Sequence, residues 1–300
     1  MLFDAASRVE LKESAGYESY VCHQAVEIEQ LKSGQVSPLR FTIEDEKEVS
    51  LHLGIMTEFS GGAKAAVLQV FSPLLFVTAF KPLDAYVEWV LEENGRTFEH
   101  NFWSFVEKAT ELGRGTLTRP DYLATEPALA RVIDEIFKKL IEKRNALIHG
   151  DWGHAVGGDL QFDFVNKAGM TVKETMPFFQ VVALADFAGI LLDSVTSPPA
   201  KTEEVIETLK FLADKLDSIH GLARFNVKAP RLFDVVRNTV QDEIDLDFIR
   251  SEIEVQAQGK PYRYNLLIRH QPTSGEWKTT GEKVKGRSTL KISELQAGSI

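Results

Sequence analysis

Three side chains near the end of one predicted helix have the types and spacing needed for phosphodiester chemistry. The segment "IEKRNALIHGDWG", residues 141–153, contains Arg144, Asn145 and His149. An arginine stabilises the negative charge that develops on a phosphate, and a histidine transfers protons near neutral pH without a metal ion. Asn145 precedes His149 by four residues, so its amide lies on the same side of the helix and can orient the imidazole. We therefore take these three residues as candidate catalytic residues and expect no cofactor and no metal.

The helix predicted over residues 128–149 positions this set. At about 100° per residue, one apolar stripe contains Ile133, Ile136, Phe137, Leu140 and Leu147. Arg144 falls inside that stripe, and a buried guanidinium needs a carboxylate such as Asp186, an interface cleft or an anionic ligand. Gly150 is expected to end the helix, which puts His149 in the last turn, where the helix dipole favours the protonated imidazole.

The stretch "RNALIH" fits the pattern of the HEPN superfamily (higher eukaryotes and prokaryotes nucleotide-binding): Arg, a polar residue, three variable residues, His. The longer "EKRNALIHGDWG" resembles many bacterial members, and the resemblance covers about residues 60–221. It implies a mostly helical bundle, often dimeric, in which two motifs form one composite site. It also implies a metal-independent endoribonuclease that uses the substrate 2′-hydroxyl as nucleophile. Arg144 would then stabilise the transferring phosphate, His149 would act as acid or base, and Asn145 would position them.

The same resemblance implies RNA as substrate, a homodimer, and a possible antitoxin or defence-system partner in toxin–antitoxin, abortive-infection or CRISPR-linked defence. In a large toxin subgroup, a tyrosine stands two residues after the histidine and is modified by a partner nucleotidyltransferase. Asp151 occupies that position here, so control by that route is not implied. Because some members only bind nucleotides or proteins, a non-catalytic nucleotide-binding or interaction module is the alternative function.

Other candidate sites are weaker. His149, Asp151 and His154 straddle a helix end and a turn without a recognised metal-ligand spacing. The segment "SGGAKA" lacks the Gly-Lys-Ser/Thr of a phosphate loop, and "LGRGTLT" lacks the spacing of a dinucleotide fingerprint. Cys22 has the character of a small packed residue rather than a nucleophile.

Composition and charge limit the classes of protein that need be considered. The chain has 300 residues, 44% of them apolar, and a net charge of −10, which argues against a surface that coats nucleic acid. A single cysteine and an N-terminus without a signal-peptide pattern predict a cytoplasmic protein. The longest apolar stretches suit core elements better than membrane spans, so no membrane association is expected.

The C-terminal tail departs from this acidic average. Residues 258–291 carry eight basic and two acidic side chains, a net charge of +6. Tyr262, Tyr264 and Trp277 lie among those charges, a mixture typical of proteins that bind single-stranded nucleic acid. A solvated amphipathic hairpin is the alternative interpretation of the same pattern.

Periodicity predicts the remaining organisation. Residues 17–55 alternate in "VEIEQL", "LRFTIED" and "EVSLHLG", which predicts a small sheet. Helical patterns follow near residues 62–80, 82–94, 97–113, 128–149, 177–195 and 201–220, and a hairpin is predicted within "HAVGGDLQFDFVNKAG". After residue 223 we predict a short helix near 231–238 and then strands at "RYNLLIRH", "EWKTT" and "STLKIS".

The predicted fold class is therefore mainly α, of the α+β type. It comprises an N-terminal β-rich segment (1–58), a HEPN-like helical bundle with an inserted hairpin (59–222) and a basic mixed α/β lobe (223–300). Asp186, a charged residue in the middle of the apolar helix at 177–195, is expected to be a partnered structural carboxylate.

Overall fold

A computed structural model describes most of the chain, namely residues 2–33, 39–45, 47–52, 59–97, 104–149, 152–154, 157–165, 169, 171–197, 202–228, 231–281 and 283–296. The helices are α1 (Ala5–Ser33), α2 (Phe59–Val70), α3 (Ser72–Glu93), α4 (Phe105–Glu111), α5 (Pro127–His149), α6 (Phe178–Thr196), α7 (Thr202–Lys215), α8 (Leu246–Ala257) and α9 (Ile292–Gln296). The strands are β1 (Leu39–Ile43), β2 (Val49–His52), β3 (Trp152–His154), β4 (Leu160–Val165), β5 (Thr171–Met176), β6 (Arg231–Thr239), β7 (Glu243–Asp245), β8 (Tyr262–His270), β9 (Gly275–Thr280) and β10 (Thr289–Lys291). Helices predominate and the class is α+β.

The chain divides into two units. One, here the helical unit, contains residues 1–32 and 58–227, and the other, the sheet unit, contains residues 33–57 and 228–300. The predicted segment 1–58 is thus divided between the two units. Its strands β1 and β2 form as predicted, but β1 pairs in parallel with β6, so both strands belong to the C-terminal sheet.

Helix α1 corrects one expectation. The strand predicted at "VEIEQL" is wrong, because these residues continue a helix that begins at Ala5. Leu11, Ala15, Cys22 and Val26 are buried at spacings of four and seven residues, which is a helical period. His23 on this helix bonds Asp193 of α6 through Nε2 at 2.8 Å. The burial of this face against the helical core stabilises a helix, and it outweighs the short alternating pattern that predicted a strand.

The centre of the helical unit is formed by α3 and α6. The predicted helices at 128–149, 177–195 and 201–220 are confirmed as α5, α6 and α7, although α7 ends early, at Lys215. Helix α6 is the one helix in the described part of the chain that is long and apolar enough to cross a membrane, and 78% of that window is buried inside the structure, as in a core helix. The helices predicted at 62–80 and 82–94 have different bounds in the structure, where α3 continues through Pro82. The buried apolar residues on either side of Pro82 form one continuous face of this helix.

The insertion between α5 and α6 is larger than the predicted hairpin. Strands β3, β4 and β5 form a three-stranded antiparallel sheet, here the inserted sheet. Gly157 and Gly158 connect β3 and β4 with φ values of 88° and 90°, a conformation that favours glycine. A side chain at Gly158 would also meet Gln69 of α2, so the turn packs closely there.

The sheet unit is built on five strands in the order β2-β1-β6-β8-β9. The short helix predicted near 231–238 is wrong, because those residues form β6, paired in parallel with β1 and β8. Helix α8 was not predicted; Asp245 caps it by accepting a hydrogen bond from the Phe248 backbone N–H at 2.9 Å. The predicted strands at "RYNLLIRH" and "EWKTT" are confirmed as β8 and β9.

Candidate active site at the end of helix α5

Helix α5 carries all three candidate catalytic residues, and its first part is firmly fixed. Four residues of the predicted stripe, Ile133, Ile136, Phe137 and Leu140, are fully buried, and Leu147 is half-buried. Pro127 begins the helix, where its fixed φ fits the first turn. Strand β4 and helices α3, α4 and α7 all pack against α5. The packing of the first part of α5 therefore fixes the position of its last turn.

Arg144 is half-buried, but its surroundings differ from those of a structural ion pair. Its guanidinium carbon lies 4.8 Å from the centroid of the Phe105 ring, and Nη1 donates a hydrogen bond to Asn145 Oδ1 at 3.2 Å. No carboxylate among the described residues forms an ion pair with it, and Asp186 is not its partner. Burial raises the pKa of Asp186, while the neighbouring His23 and Lys215 lower it. The charge of Arg144 is thus held by an aromatic face and an amide.

Phe105 owes its position to the packing of α4. Its ring makes an edge contact with Phe80 at 5.4 Å and another with Phe137 at 6.5 Å between centroids. Ser104 begins the helix with a capping box, in which the Ser104 hydroxyl accepts a hydrogen bond from the Glu107 N–H and the Glu107 carboxylate accepts one from the Ser104 N–H. The ring that supports Arg144 is therefore fixed on both sides by aromatic neighbours.

A buried ion pair ties the same short helix to α3. Lys108 Nζ donates hydrogen bonds to Asp84 and Glu88, each at 2.6 Å. The Lys108 side chain is only 2% exposed, so its charge depends on these two carboxylates. Together with the Phe105 contacts, this ion pair fixes α4 beside the end of α5.

His149 is the last residue of α5, and its side chain is exposed. It has no hydrogen-bond or ion-pair partner in the described part of the chain. The expected terminator Gly150 and the neighbouring Asp151 lie outside the described residues. Because five residues correspond to about 140° around a helix axis, Arg144 and His149 leave α5 in different directions, whereas Asn145 and His149 are about 40° apart. One copy of the motif therefore does not direct Arg144 and His149 towards the same point.

Lys143 is a residue of this region that the sequence analysis missed. Its side chain is 6% exposed, forms an ion pair with Glu174 of β5, and places Nζ 5.7 Å from the centroid of the Phe162 ring of β4. Burial lowers the pKa of Lys143 from 10.5 to about 8. Lys143 lies at the edge of the apolar stripe, so the stripe alone does not predict that it is buried. The inserted sheet packs against Lys143 and buries it.

The end of α5 is thus held on two sides. Arg144 lies against α4 through Phe105, and Lys143 lies against the inserted sheet through Phe162 and Glu174. Among the described side chains of these elements, two large apolar ones are exposed: Val106, beside Phe105, is 69% exposed, and Ile148, one helical turn after Arg144, is 46% exposed. Single exposed apolar side chains are common on protein surfaces, so these two do not by themselves define an interaction surface.

The other candidates of the sequence analysis receive little support from the geometry. Among the described residues, no three His, Cys, Asp or Glu side chains are grouped as metal ligands. Asp151 and the side chain of His154 lie outside the description. Cys22 is fully buried, and burial raises the pKa of its thiol to about 12, which disfavours the nucleophilic thiolate.

The basic tail does not combine its aromatic and basic residues on one surface. Tyr264 is buried, and Tyr262 and Trp277 pack against the core of the sheet unit. Arg269 and Lys278 are exposed and alternate with these rings along β8 and β9, so they lie on the opposite face of the sheet. The aromatic residues and these two cations therefore do not share one face of the sheet, as a single-strand binding surface would require.

Comparison of the chain with protein-family models, curated proteins and solved structures finds no match.

Proposed function

We propose that this protein is a metal-independent endoribonuclease of the HEPN type that works as a homodimer on single-stranded RNA. The observation that carries the proposal is the pairing of Arg144 with the Phe105 ring instead of a carboxylate, five residues before an exposed histidine at a helix end. A cation held in this way keeps its charge for an anionic ligand, because an aromatic ring does not neutralise it.

The residues fit an in-line transesterification. One His149 imidazole accepts the proton of the 2′-hydroxyl as the 2′-oxygen attacks the adjacent phosphorus. The bond from phosphorus to the 5′-oxygen of the next nucleotide breaks, and a second imidazole, that of the other copy, donates a proton to the leaving oxygen. Arg144 stabilises the added negative charge on the phosphoryl oxygens. The products are a 2′,3′-cyclic phosphate and a free 5′-hydroxyl.

A homodimer supplies what one chain lacks. Since Arg144 and His149 leave the helix about 140° apart, two copies of α5 that meet near their ends can direct an arginine and two histidines towards one phosphate. The exposed Val106 and Ile148 provide apolar surface for such an interface beside the motif. The acidic net charge of −10 then requires that RNA be attracted locally, by Arg144 and its symmetry mate.

We place this ribonuclease in the cytoplasm, with a possible antitoxin or defence-system partner that restrains it. The second candidate function is a non-catalytic nucleotide-binding or interaction module with the same helical fold. The acidic net charge favours that alternative, because most of the surface repels RNA. It predicts saturable ligand binding without turnover.

The position of the nucleophile gives a direct test. The substrate is a single-stranded oligonucleotide with one ribonucleotide in an otherwise deoxyribonucleotide chain, incubated with the protein in EDTA. We expect cleavage only on the 3′ side of the ribonucleotide, with a cyclic phosphate end. The matched control replaces that 2′-hydroxyl by a methoxy group and should not be cleaved. Cleavage of the control, or products with 5′-phosphate ends, would exclude this mechanism.

A further inference from the structure

The two faces of the five-stranded sheet in the sheet unit differ in chemistry. One face packs into a hydrophobic core with α8, through buried residues such as Phe41, Phe233 and Leu266. The other face carries the alternate residues of the same strands, and a cavity of about 870 Å³ lies over it. Small-molecule sites in proteins have volumes of about 300–1,000 Å³, so the cavity has the size of a ligand pocket.

The side chains that line this cavity are mixed, and one apolar pair lies among polar and charged residues. Val236 on β6 and Leu267 on β8 are register partners and form this apolar pair. Lys278 on β9 is the register partner of Leu267, so the Lys278 side chain lies next to that of Leu267 on this face of the sheet. Lys283 follows in the turn after β9 and also lines the cavity. Apolar surface thus adjoins two cations.

Of the remaining charged groups of the cavity, Arg269 and Glu276 form an ion pair, and Asp234 bonds a neutral amide. Arg269 Nε lies 3.1 Å from Glu276 Oε2, and Asn265 Nδ2 donates a hydrogen bond to Asp234 Oδ1 at 2.9 Å. Neither Lys278 nor Lys283 forms an ion pair with a carboxylate in the described part of the chain. In a protein with net charge −10, two lysines without carboxylate partners in one pocket indicate complementarity to an anion.

The arrangement favours a compact ligand over an RNA strand. Single-strand binders combine a basic groove with aromatic stacking platforms. On this sheet Tyr262, Tyr264 and Trp277 pack against the core, on the face opposite Lys278. The cavity offers one apolar pair of side chains on which a flat ring can lie, nearby hydrogen-bonding groups on Asn265 and Thr280, and two cations.

We propose that this cavity binds a nucleoside monophosphate. The phosphate carries about −1.5 to −2 charges at neutral pH, which matches the two charges of Lys278 and Lys283. The base lies over Val236 and Leu267, and the sugar is within reach of Asn265 and Thr280. The site belongs to the sheet unit and uses none of the residues of the α5 end, so it is independent of the proposed ribonuclease activity.

Calorimetric titration of the full chain with AMP, GMP, CMP and UMP tests this proposal. We expect saturable binding of at least one of the four. Lys278→Ala and Lys283→Ala should each weaken it by about tenfold or more, because each substitution removes a charged hydrogen-bond donor. Lys285→Ala is the matched control: Lys285 is an exposed lysine of the same segment that does not line the cavity, and binding should stay unchanged.

Two further ligands show whether the cavity recognises the whole nucleotide or only one part of it. Inorganic phosphate and the nucleoside without phosphate should each bind much more weakly than the monophosphate, since each engages only part of the cavity. If inorganic phosphate bound as tightly as the nucleoside monophosphate, the site would recognise only an anion, and the proposal would be overturned. Absence of binding by all four nucleotides, or binding unaffected by both lysine substitutions, would also overturn it. A single-stranded oligoribonucleotide that binds more tightly through the same two lysines would identify an RNA site instead.

Discussion

The guanidinium carbon of Arg144 lies 4.8 Å from the centroid of the Phe105 ring. This contact links the candidate active site to α4, a helix with no candidate catalytic residue. A cation over an aromatic face is favourable by about 0.5–2 kcal/mol, and the face restricts where the cation can point without neutralising it. Phe105 is therefore a positioning residue for Arg144.

Replacing Phe105 with leucine should lower the rate of RNA cleavage by about two- to thirtyfold, since the cation–π energy is lost and Arg144 gains alternative positions. The measurement is the cleavage rate at saturating RNA. Phe211→Leu is the matched control, because Phe211 supports Lys215 at 4.5 Å in the same unit. If both variants lose the same activity, the effect is one of general stability, and Phe105 has no positioning role.

The buried ion pair of α4 gives a prediction about stability. Asp84→Ala should lower the free energy of unfolding by about 3 kcal/mol, because it removes the buried partner of Lys108, whose side chain is 2% exposed. Glu88→Ala removes the partner that is 41% exposed and should cost less than about 1 kcal/mol. Urea unfolding of both variants measures the difference. Equal losses would show that burial does not control this ion pair.

Lys143 gives a prediction about pH. Its pKa falls from 10.5 to about 8 on burial, so between these pH values the unfolded chain holds a proton that the folded protein has released. The contribution of Lys143 to the free energy of unfolding must therefore rise with pH across this window, by about 3 kcal/mol at most. Below the lower pH value this contribution is constant, because Lys143 is protonated in both states. Comparing urea unfolding of wild type and Lys143→Met from neutral pH to pH 10 isolates the effect. The expected result is a rise in wild type that the variant lacks; parallel profiles would show that Lys143 keeps its proton in the folded state.

The proposed roles of His149 predict a bell-shaped pH–rate profile. One copy must be neutral to accept a proton and the other must be protonated to donate one, so the rate falls at both extremes. The check is single-turnover cleavage over the pH range in which circular dichroism shows the fold to be unchanged. A flat profile would count against acid–base catalysis by this residue.

The elements that could be predicted from sequence are those whose local pattern agrees with their packing. Helix α5 has a long apolar periodicity, α6 is a long apolar segment, and β8 and β9 alternate clearly, so each is recognisable alone. Helix α1 and strand β6 are different. In α1 the charged residues alternate by chance with apolar ones, and β6 gains its structure from parallel neighbours that are distant in the chain. Such pairing leaves little local signal.

The same distinction applies to the candidate site. Arg144, Asn145 and His149 are recognisable because they share one helix and one short spacing. Phe105 and Lys143 are not, since their roles depend on α4 and on the inserted sheet, which pack against α5 only in the folded chain. Asp186, one of the alternatives that the sequence leaves open for Arg144, does not pair with it, and the ring of Phe105 contacts the guanidinium instead.

RNA cleavage in EDTA by the His149→Ala and Arg144→Ala variants tests the central claim most directly. His220→Ala and Arg131→Ala are the matched controls, because both replace exposed residues of the same types in the helical unit. We predict that wild type and both controls cleave single-stranded RNA without metal, and that His149→Ala and Arg144→Ala are slower by about a hundredfold or more while remaining folded. Cleavage that survives both substitutions, or a wild-type protein that binds RNA without cleaving it, would contradict the assignment of catalysis to the end of α5.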